Sequence, residues 1–223
     1  MSHRSRRLLA ALGASAVLVA AGVAVSASGG TKPVKHASPA SATFRGIPEH
    51  NGVLGEAKAP LTLTEYVDLQ CPICAEASKQ TLPWLVKNYV RTGKAKLELR
   101  TLHFIGPDSE RAARVAAGAE RQGRLWPFLE AFYAAQGEEN SGYVTNDFLT
   151  KVADAAGVDA KQALDFSKGQ SAQSALDQAD GAAQTLKVDS TPSFTVTKRG
   201  GKEQVVAVGL EDLTNKLDKA IGA

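Results

Sequence analysis

The spacing of apolar and polar residues predicts strands and helices that follow one another along the chain. Residues Leu61–Asp68 alternate and are rich in β-formers, which predicts a buried strand. From Pro72 to about Arg91 most residues favour a helix, so we expect a helix there, kinked at Pro83. Residues Lys96–Phe104 alternate again and predict a second long strand.

The middle of the chain is rich in alanine and predicts a block of helices. The longest helix is expected over Ser109–Gln136, with interruptions near Gly123 and Pro127. Two more helices are expected over Thr145–Ala156 and Asp159–Gln184.

Toward the C-terminus the pattern returns to strands. We expect two strands joined by a hairpin, then an amphipathic helix, and also one short strand ahead of the first long strand. The strands are Ser193–Thr197 and Gln204–Val208, the helix is Leu210–Ile221, and the short strand lies within Arg45–Leu54. This order of segments predicts an α/β fold in which a helical insertion, about residues 107–186, interrupts a sheet.

The first 27 residues differ from the rest in composition. Three arginines lie within the first seven residues, and an uncharged stretch of 20 residues, Leu8–Ala27, follows them. This length can span a bilayer, whereas Val25-Ser26-Ala27 offers a small-residue cleavage site. We therefore expect residues 1–27 to be a signal peptide or a membrane anchor, with an N-terminal core helix as a third alternative. Either export segment would place the rest of the chain outside the cytoplasm, with residues 28–44 as a flexible tether.

Charge excludes one class of function. Residues 1–27 hold three of the 26 basic residues and no acidic residue, which leaves 23 basic and 23 acidic residues in the remainder. A remainder without net charge, in which Lys and Arg are scattered, has no basic footprint for nucleic acid. We therefore expect no nucleic-acid partner, and the roughly 180 residues after the tether are enough for one well-formed core.

The candidate chemistry lies at the only two cysteines, Cys71 and Cys74, which form a Cys-Pro-Ile-Cys motif directly after the first long strand. Pro72 suits the first position of a helix, so Cys71 is expected at a helix N-terminus. There the unpaired N–H groups and the helix dipole stabilise a thiolate and lower the thiol pKa. Cys71 is therefore expected to be the exposed attacking cysteine and Cys74 the shielded resolving cysteine.

A metal or binding module is a different class of function for the same cysteines. Cys71 and Cys74 with His50 and His103 could nominally form a Cys₂His₂ metal site. Their spacing matches no compact zinc motif, and a proline inside the motif suits redox chemistry better. We therefore expect no metal and no cofactor, and we expect His103 to be a structural or surface residue.

Several segments resemble, in the same order along the chain, the DsbA-like thioredoxin-fold family of thiol–disulfide oxidoreductases. These segments are Leu63–Cys74, Tyr89–Arg100, Arg121–Trp126 and Ser190–Phe194. The resemblance covers roughly residues 45–223 and is closest in pattern to single-domain, exported or membrane-tethered members of the Gram-positive type. It implies a thioredoxin-like fold with a helical insertion that walls the active site and shapes an apolar groove.

The resemblance also implies roles for residues around the motif. Thr191-Pro192 matches the loop in which this fold places a cis proline facing the cysteines, and Thr191 would contact Cys71. Glu65 occupies the position of a buried acid that helps proton transfer at the second cysteine. Asp68 is the competing acid, although we expect it to cap the turn or to face solvent.

The function implied by the resemblance is that of an extracytoplasmic oxidase. Its substrates would be unfolded or newly exported proteins, and a quinone-linked membrane partner would reoxidise it. Ile73 replaces the histidine of the most oxidising relatives, which argues against a very high reduction potential. A reductase or an isomerase on the same fold stays open, because the sequence does not reveal the potential. An isomerase usually needs a dimerisation domain, and residues 28–44 are too short to supply one.

Overall fold

A computed structural model gives the fold of residues 43–209 and 213–222. The described residues form six strands, seven α-helices and one π-helical segment. The strands are β1 (Glu49–His50), β2 (Val53–Leu54), β3 (Leu61–Asp68), β4 (Ala95–Leu102), β5 (Ser193–Lys198) and β6 (Gln204–Val208). The helices are α1 (Pro72–Leu85), α2 (Pro107–Glu120), α3 (Leu125–Ala135), α4 (Asn146–Ala156), α5 (Ala160–Ser167), α6 (Gln170–Leu186) and α7 (Leu213–Gly222), and the π-helical segment is Val86–Val90.

Some of the predicted segments lie outside the described residues. The signal peptide or anchor at 1–27 and nearly all of the tether at 28–44 are among them, as are the first three residues of the predicted C-terminal helix. Within residues 43–209 and 213–222, no helix has both the length and the apolar character that crossing a bilayer requires.

The six strands form one mixed sheet in the order β1-β2-β4-β3-β5-β6. The central strand β3 runs parallel to β4, with Asp68 opposite Leu102, and antiparallel to β5, with Tyr66 opposite Ser193. The C-terminal ends of β3 and β4 and the N-terminal end of β5 therefore lie at the same edge of the sheet, where these strands end. The loops that follow β3 and β4 and the loop that precedes β5 meet there.

The predicted α/β architecture with a helical insertion is confirmed. Five helices, α2–α6, lie between β4 and β5 in the chain order. Strand β3 is buried on both faces, because Val67 packs in the larger core while Tyr66 packs against Ala179 and Ala183 of α6. A strand that is covered on both sides is typical of α/β folds.

Two predicted elements are wrong in their extent. The short strand within Arg45–Leu54 is a hairpin of β1 and β2, in which Asn51 and Gly52 form the two-residue turn with φ angles of 48° and 73°. The predicted helix Asp159–Gln184 is two helices, because the chain is extended at Gly169, the residue before α6.

One glycine and two prolines were expected to interrupt or kink the predicted helices. The break between α2 and α3 falls at Gly123, as predicted, where φ is 63°. Pro127 does not interrupt a helix, since it lies in the first turn of α3, where a missing N–H leaves no bond unmade. Helix α1 continues through Pro83, and the irregularity follows it as a π-helical segment that ends near the predicted Arg91.

Helix α2 packs very closely on α5 at Gly118. A Cβ atom at this position would lie 2.7 Å from the Cα atom and 2.8 Å from the carbonyl oxygen of Ala163. We expect Gly118→Ala to lower the free energy of unfolding by about 1–3 kcal/mol, because backbone atoms must shift to make room. Gly181→Ala is the matched control, since a Cβ there meets nothing within 4 Å. Denaturant unfolding should show the control at or above wild-type stability by up to about 1 kcal/mol; equal stabilities for the two variants would contradict the close packing.

Candidate active site

The Cys-Pro-Ile-Cys motif lies at the start of α1, as the sequence predicts. Cys71 is the N-cap residue, with extended backbone angles (φ −66°, ψ 120°), and Pro72 follows at the beginning of the helix. The Cys71 Sγ atom accepts a hydrogen bond from the Cys74 backbone N–H at 3.4 Å. A sulfur atom in this position takes the place of the oxygen of an ordinary N-cap side chain, and it faces the positive end of the helix dipole.

The two cysteines differ in their environment, although both are buried. The exposed fraction is 6% for Cys71 and 0% for Cys74. The expectation of an exposed Cys71 is therefore wrong, and the Thr191 carbonyl oxygen lies 3.5 Å from its Sγ atom. Cys71 is still the more accessible of the pair, and Cys74 is shielded as expected.

This environment separates the acidities of the two thiols. The pKa of Cys71 falls to about 6, chiefly because the Cys74 side chain donates a hydrogen bond to it, and the backbone N–H groups of Cys74 and Ile73 assist. Burial opposes this shift without cancelling it. The pKa of Cys74 rises, mainly because burial disfavours its thiolate. Near neutral pH the reduced pair therefore holds one thiolate, on Cys71.

The Thr191-Pro192 loop faces the motif from the start of β5. The peptide bond between the two residues is cis, as the resemblance implies. The Cys71 thiol lies within hydrogen-bond distance of the Thr191 carbonyl oxygen, at 3.5 Å. The Pro192 carbonyl accepts from the Gly209 N–H at 2.7 Å, which fixes the loop to the residue after β6.

Glu65 is a buried carboxyl group on β3. Its exposed fraction is 5%, and burial alone raises its pKa to about 8. Burial also raises the pKa of the Tyr133 phenol, and the charges of Cys74 and Glu65 add to this shift. Glu65 would thus be protonated at neutral pH and can act as a proton donor.

Asp68, the competing acid, caps a turn and does not face solvent. Its carboxylate accepts hydrogen bonds from the Gln70 N–H (2.9 Å), the Ser109 hydroxyl (2.6 Å) and the Ile105 N–H (3.2 Å). The residue is fully buried because α2 and the residues after β4 close over the end of β3. The prediction that Asp68 caps the turn is confirmed, and the alternative that it faces solvent is wrong.

Several polar residues around the motif were not identified from the sequence. The Gln70 side chain bonds to Ser109 and to Asn140, accepting from the Asn140 N–H at 2.7 Å. Tyr133 and Gln136 of the α3 region donate to backbone carbonyls at 68–71. No local sequence signal marks these residues, because their contacts exist only once the helical insertion packs on the sheet.

The histidines that could nominally complete a metal site do not do so. Over residues 43–209 and 213–222, no three His, Cys, Asp or Glu side chains come together as a group that could hold a metal ion. His103 instead lies beside Asp180 of α6, with 3.6 Å between Nδ1 and Oδ1. His103 lies directly after β4 and is partly buried.

A redox dithiol at a helix N-terminus, beside a cis-proline loop on a mixed sheet, defines a thiol–disulfide oxidoreductase of thioredoxin-like fold. The family model described as Thioredoxin matches residues 49–219, and the chain belongs to this family.

The similar proteins include a relative named for disulfide bond formation and two solved structures of similar fold. The chain is 28% identical over 147 residues to a probable disulfide bond formation protein D of Bacillus cereus, covering 64% of this chain and 68% of that protein. Oxidised BdbD from Bacillus subtilis has a similar fold (TM-score 0.65, 21% identity, 79% of this chain and 95% of that chain). So has DsbA of Chlamydia trachomatis (TM-score 0.64, 18% identity, 76% of this chain and 90% of that chain). The predicted resemblance to thiol–disulfide oxidoreductases of thioredoxin-like fold is thereby confirmed.

Proposed function

We propose that this protein is an extracytoplasmic oxidase that forms disulfide bonds in unfolded or newly exported proteins. The observation that carries the proposal is the thiolate at Cys71, with a pKa of about 6. A stabilised thiolate favours the reduced form of the protein, and this makes its disulfide a better oxidant. The name of the Bacillus cereus relative, a probable disulfide bond formation protein, supports the same direction of reaction.

The reaction passes through one mixed disulfide. A substrate thiolate attacks Sγ of Cys71 in the Cys71–Cys74 disulfide, the bond between the two cysteines breaks, and Cys74 leaves as a thiolate that takes up a proton. A second substrate thiolate then attacks the substrate sulfur of the mixed disulfide, and Cys71 leaves as its stabilised thiolate. The substrate loses two electrons and gains a disulfide, and the protein ends as the dithiol.

Three further residues have proposed roles in these steps. Glu65 supplies the proton that Cys74 takes up, since its raised pKa of about 8 keeps the carboxyl protonated at neutral pH. The Thr191-Pro192 loop pairs with an extended segment of the substrate next to Cys71. Thr191 also tunes the Cys71 thiolate, because its side chain helps to lower the pKa of that thiol.

An apolar surface near the motif suits an unfolded substrate. Three of the four exposed large hydrophobic residues in the described part of the chain are Ile73, Phe104 and Val208. Ile73 lies inside the motif, Phe104 follows β4, and Val208 pairs with Ser193 beside the cis-proline loop. These positions share the active-site edge of the sheet, where they could hold apolar side chains of varied sequence.

The location and the recycling of the protein are part of the proposal. Residues 1–27 would export the chain, either as a cleaved signal peptide or as a membrane anchor, and residues 28–44 would tether the folded part. After each cycle the dithiol needs an electron acceptor. A quinone-linked membrane protein would accept the two electrons and restore the Cys71–Cys74 disulfide.

Disulfide transfer to a reduced protein tests the direction of the reaction. We expect the oxidised protein, mixed with reduced and unfolded ribonuclease, to introduce up to one disulfide per molecule added and to become a dithiol itself. Alkylation and mass measurement of both proteins report the transfer. Efficient reduction of insulin by the dithiol form, with no oxidation of ribonuclease, would contradict the oxidase and indicate a reductase.

A further inference from the structure

The helical insertion holds the turn that carries Cys71. The Gln136 side-chain amide donates to the Leu69 carbonyl at 2.9 Å and to the Cys71 carbonyl at 3.2 Å. Three residues earlier, the Tyr133 hydroxyl donates to the Asp68 carbonyl at 3.1 Å. Residues at the end of α3 thus contact three of the four carbonyl groups in the turn 68–71.

The path of this turn fixes the position of the Cys71 sulfur. The Cys71 N–H donates to the Asp68 carbonyl at 3.0 Å, which closes the turn. Beyond it, Cys71 takes the extended N-cap conformation that brings Sγ within 3.4 Å of the Cys74 nitrogen. A small rotation of the Cys71 backbone would move the sulfur away from the N–H groups at the start of α1.

We propose that Gln136 is a positioning residue for the Cys71 thiolate. By bonding the carbonyls on both sides of Gln70, it holds the Cys71 peptide in the N-cap conformation, and Tyr133 supports the same turn. The amide also offsets the partial negative charge of the Cys71 carbonyl oxygen, which lies in the same residue as the thiolate. The proposal rests on the proposed function only in taking Cys71 as the attacking cysteine.

Three variants distinguish the effect of the Gln136 amide on Cys71 from the general effect of replacing a glutamine in the insertion. Gln136→Met keeps the length of the side chain and removes its N–H donors. Gln122→Met is the matched control, since the Gln122 amide also donates to two carbonyls of the insertion, those of Gly118 (3.4 Å) and Asp159 (3.2 Å). Gln136→Lys keeps N–H donors at the site and adds a positive charge.

The measurement is the pH dependence of the rate at which iodoacetamide alkylates Cys71. We expect Gln136→Met to raise the pKa of Cys71 by about one unit, which lowers the thiolate fraction at pH 6 about fivefold. The equilibrium with glutathione should move about fivefold toward the Cys71–Cys74 disulfide at pH 7. Gln122→Met should match the wild type in both measurements, and Gln136→Lys should have a pKa at or below the wild-type value.

Two results would overturn the proposal. One is a folded Gln136→Met protein whose Cys71 pKa and glutathione equilibrium equal those of Gln122→Met. The other is a rise of the Cys71 pKa in Gln136→Lys as large as in Gln136→Met, because then packing and not donation would be responsible. If Gln136→Met does not fold, Tyr133→Phe is measured in its place. A raised Cys71 pKa in that variant would support the proposal, and an unchanged Cys71 pKa would contradict it. A wild type without a reversible Cys71–Cys74 couple would instead overturn the proposed function.

Discussion

Replacing Cys71 by Ser is expected to abolish disulfide exchange, with a loss of more than about a thousandfold in rate, as when a catalytic nucleophile is removed. Cys71 is the only thiol with a lowered pKa in the chain, and Cys74 is fully buried with a raised pKa. The remaining Cys74 thiol therefore lacks both the charge and the access that attack on a disulfide requires. The rate of ribonuclease oxidation measures the loss.

Cys74→Ser is the matched variant, and it should behave differently. With Cys71 intact the thiolate can still attack a disulfide, but no second cysteine is present to resolve the product. We expect a mixed disulfide between Cys71 and the substrate to accumulate, visible as a covalent adduct by mass that a reducing agent removes. Equal trapping by Cys71→Ser would show that the assignment of attacking and resolving cysteines is wrong.

Replacing Glu65 by Gln is expected to change how the stability depends on pH. The pKa of Glu65 rises from 4.5 in the unfolded chain to about 8 in the folded protein, through burial. Between these values the native state binds more protons than the unfolded state, so this contribution to stability is full below about pH 4.5 and is lost as pH rises through 8. The loss amounts to about 5 kcal/mol as an upper bound.

The comparison is best made on the oxidised proteins, in which the cysteines do not titrate. In the reduced proteins Cys71 titrates as well. Its lowered pKa adds stability as pH rises above 6, which opposes the pH dependence of stability that Glu65 causes. We expect denaturant unfolding to show the Glu65→Gln variant gaining stability relative to the wild type from pH 5 to pH 9. A difference between the two proteins that stays constant over this range would exclude a buried, protonated Glu65.

The same substitution should slow the chemistry at Cys74. Without an ionisable carboxyl group the proton transfer relies on water, and we expect exchange at Cys74 to slow by about a hundredfold. Asp68→Asn is the comparison for the competing acid. Because the Asp68 carboxylate accepts three hydrogen bonds in its turn, its loss should lower stability more than it slows this proton transfer.

Local rules account for what the sequence predicted correctly. The strand before the motif, the proline at the start of α1 and the N-cap position of Cys71 all follow from residues within one or two helical turns of each other. The Asn51-Gly52 turn is equally local, since this pair of residues is a strong hairpin signal. The break at Gly169 has a weaker signal, since a glycine is also tolerated inside helices, as Gly181 in α6 shows.

The surroundings of the cysteines depend on tertiary packing and were not predictable in the same way. Gln136 directly follows α3 and carries no local sequence signal, yet its side chain bonds to the active-site turn. The contact between the Cys71 sulfur and the Thr191 carbonyl joins residues that are 120 positions apart in the chain. Glu65 could be proposed only through the family resemblance, because a carboxyl group in a strand carries no mark of its burial.

The most direct test of the account is the redox equilibrium of the Cys71–Cys74 pair with glutathione. The protein is equilibrated over a range of glutathione ratios, its thiols are trapped with an alkylating agent, and the oxidised fraction is read by mass. We predict one reversible two-electron transition, with a reduction potential well above the value of about −270 mV for thioredoxin. A potential at or below that value would contradict the oxidase, and the absence of a reversible transition would contradict the redox role of the two cysteines altogether.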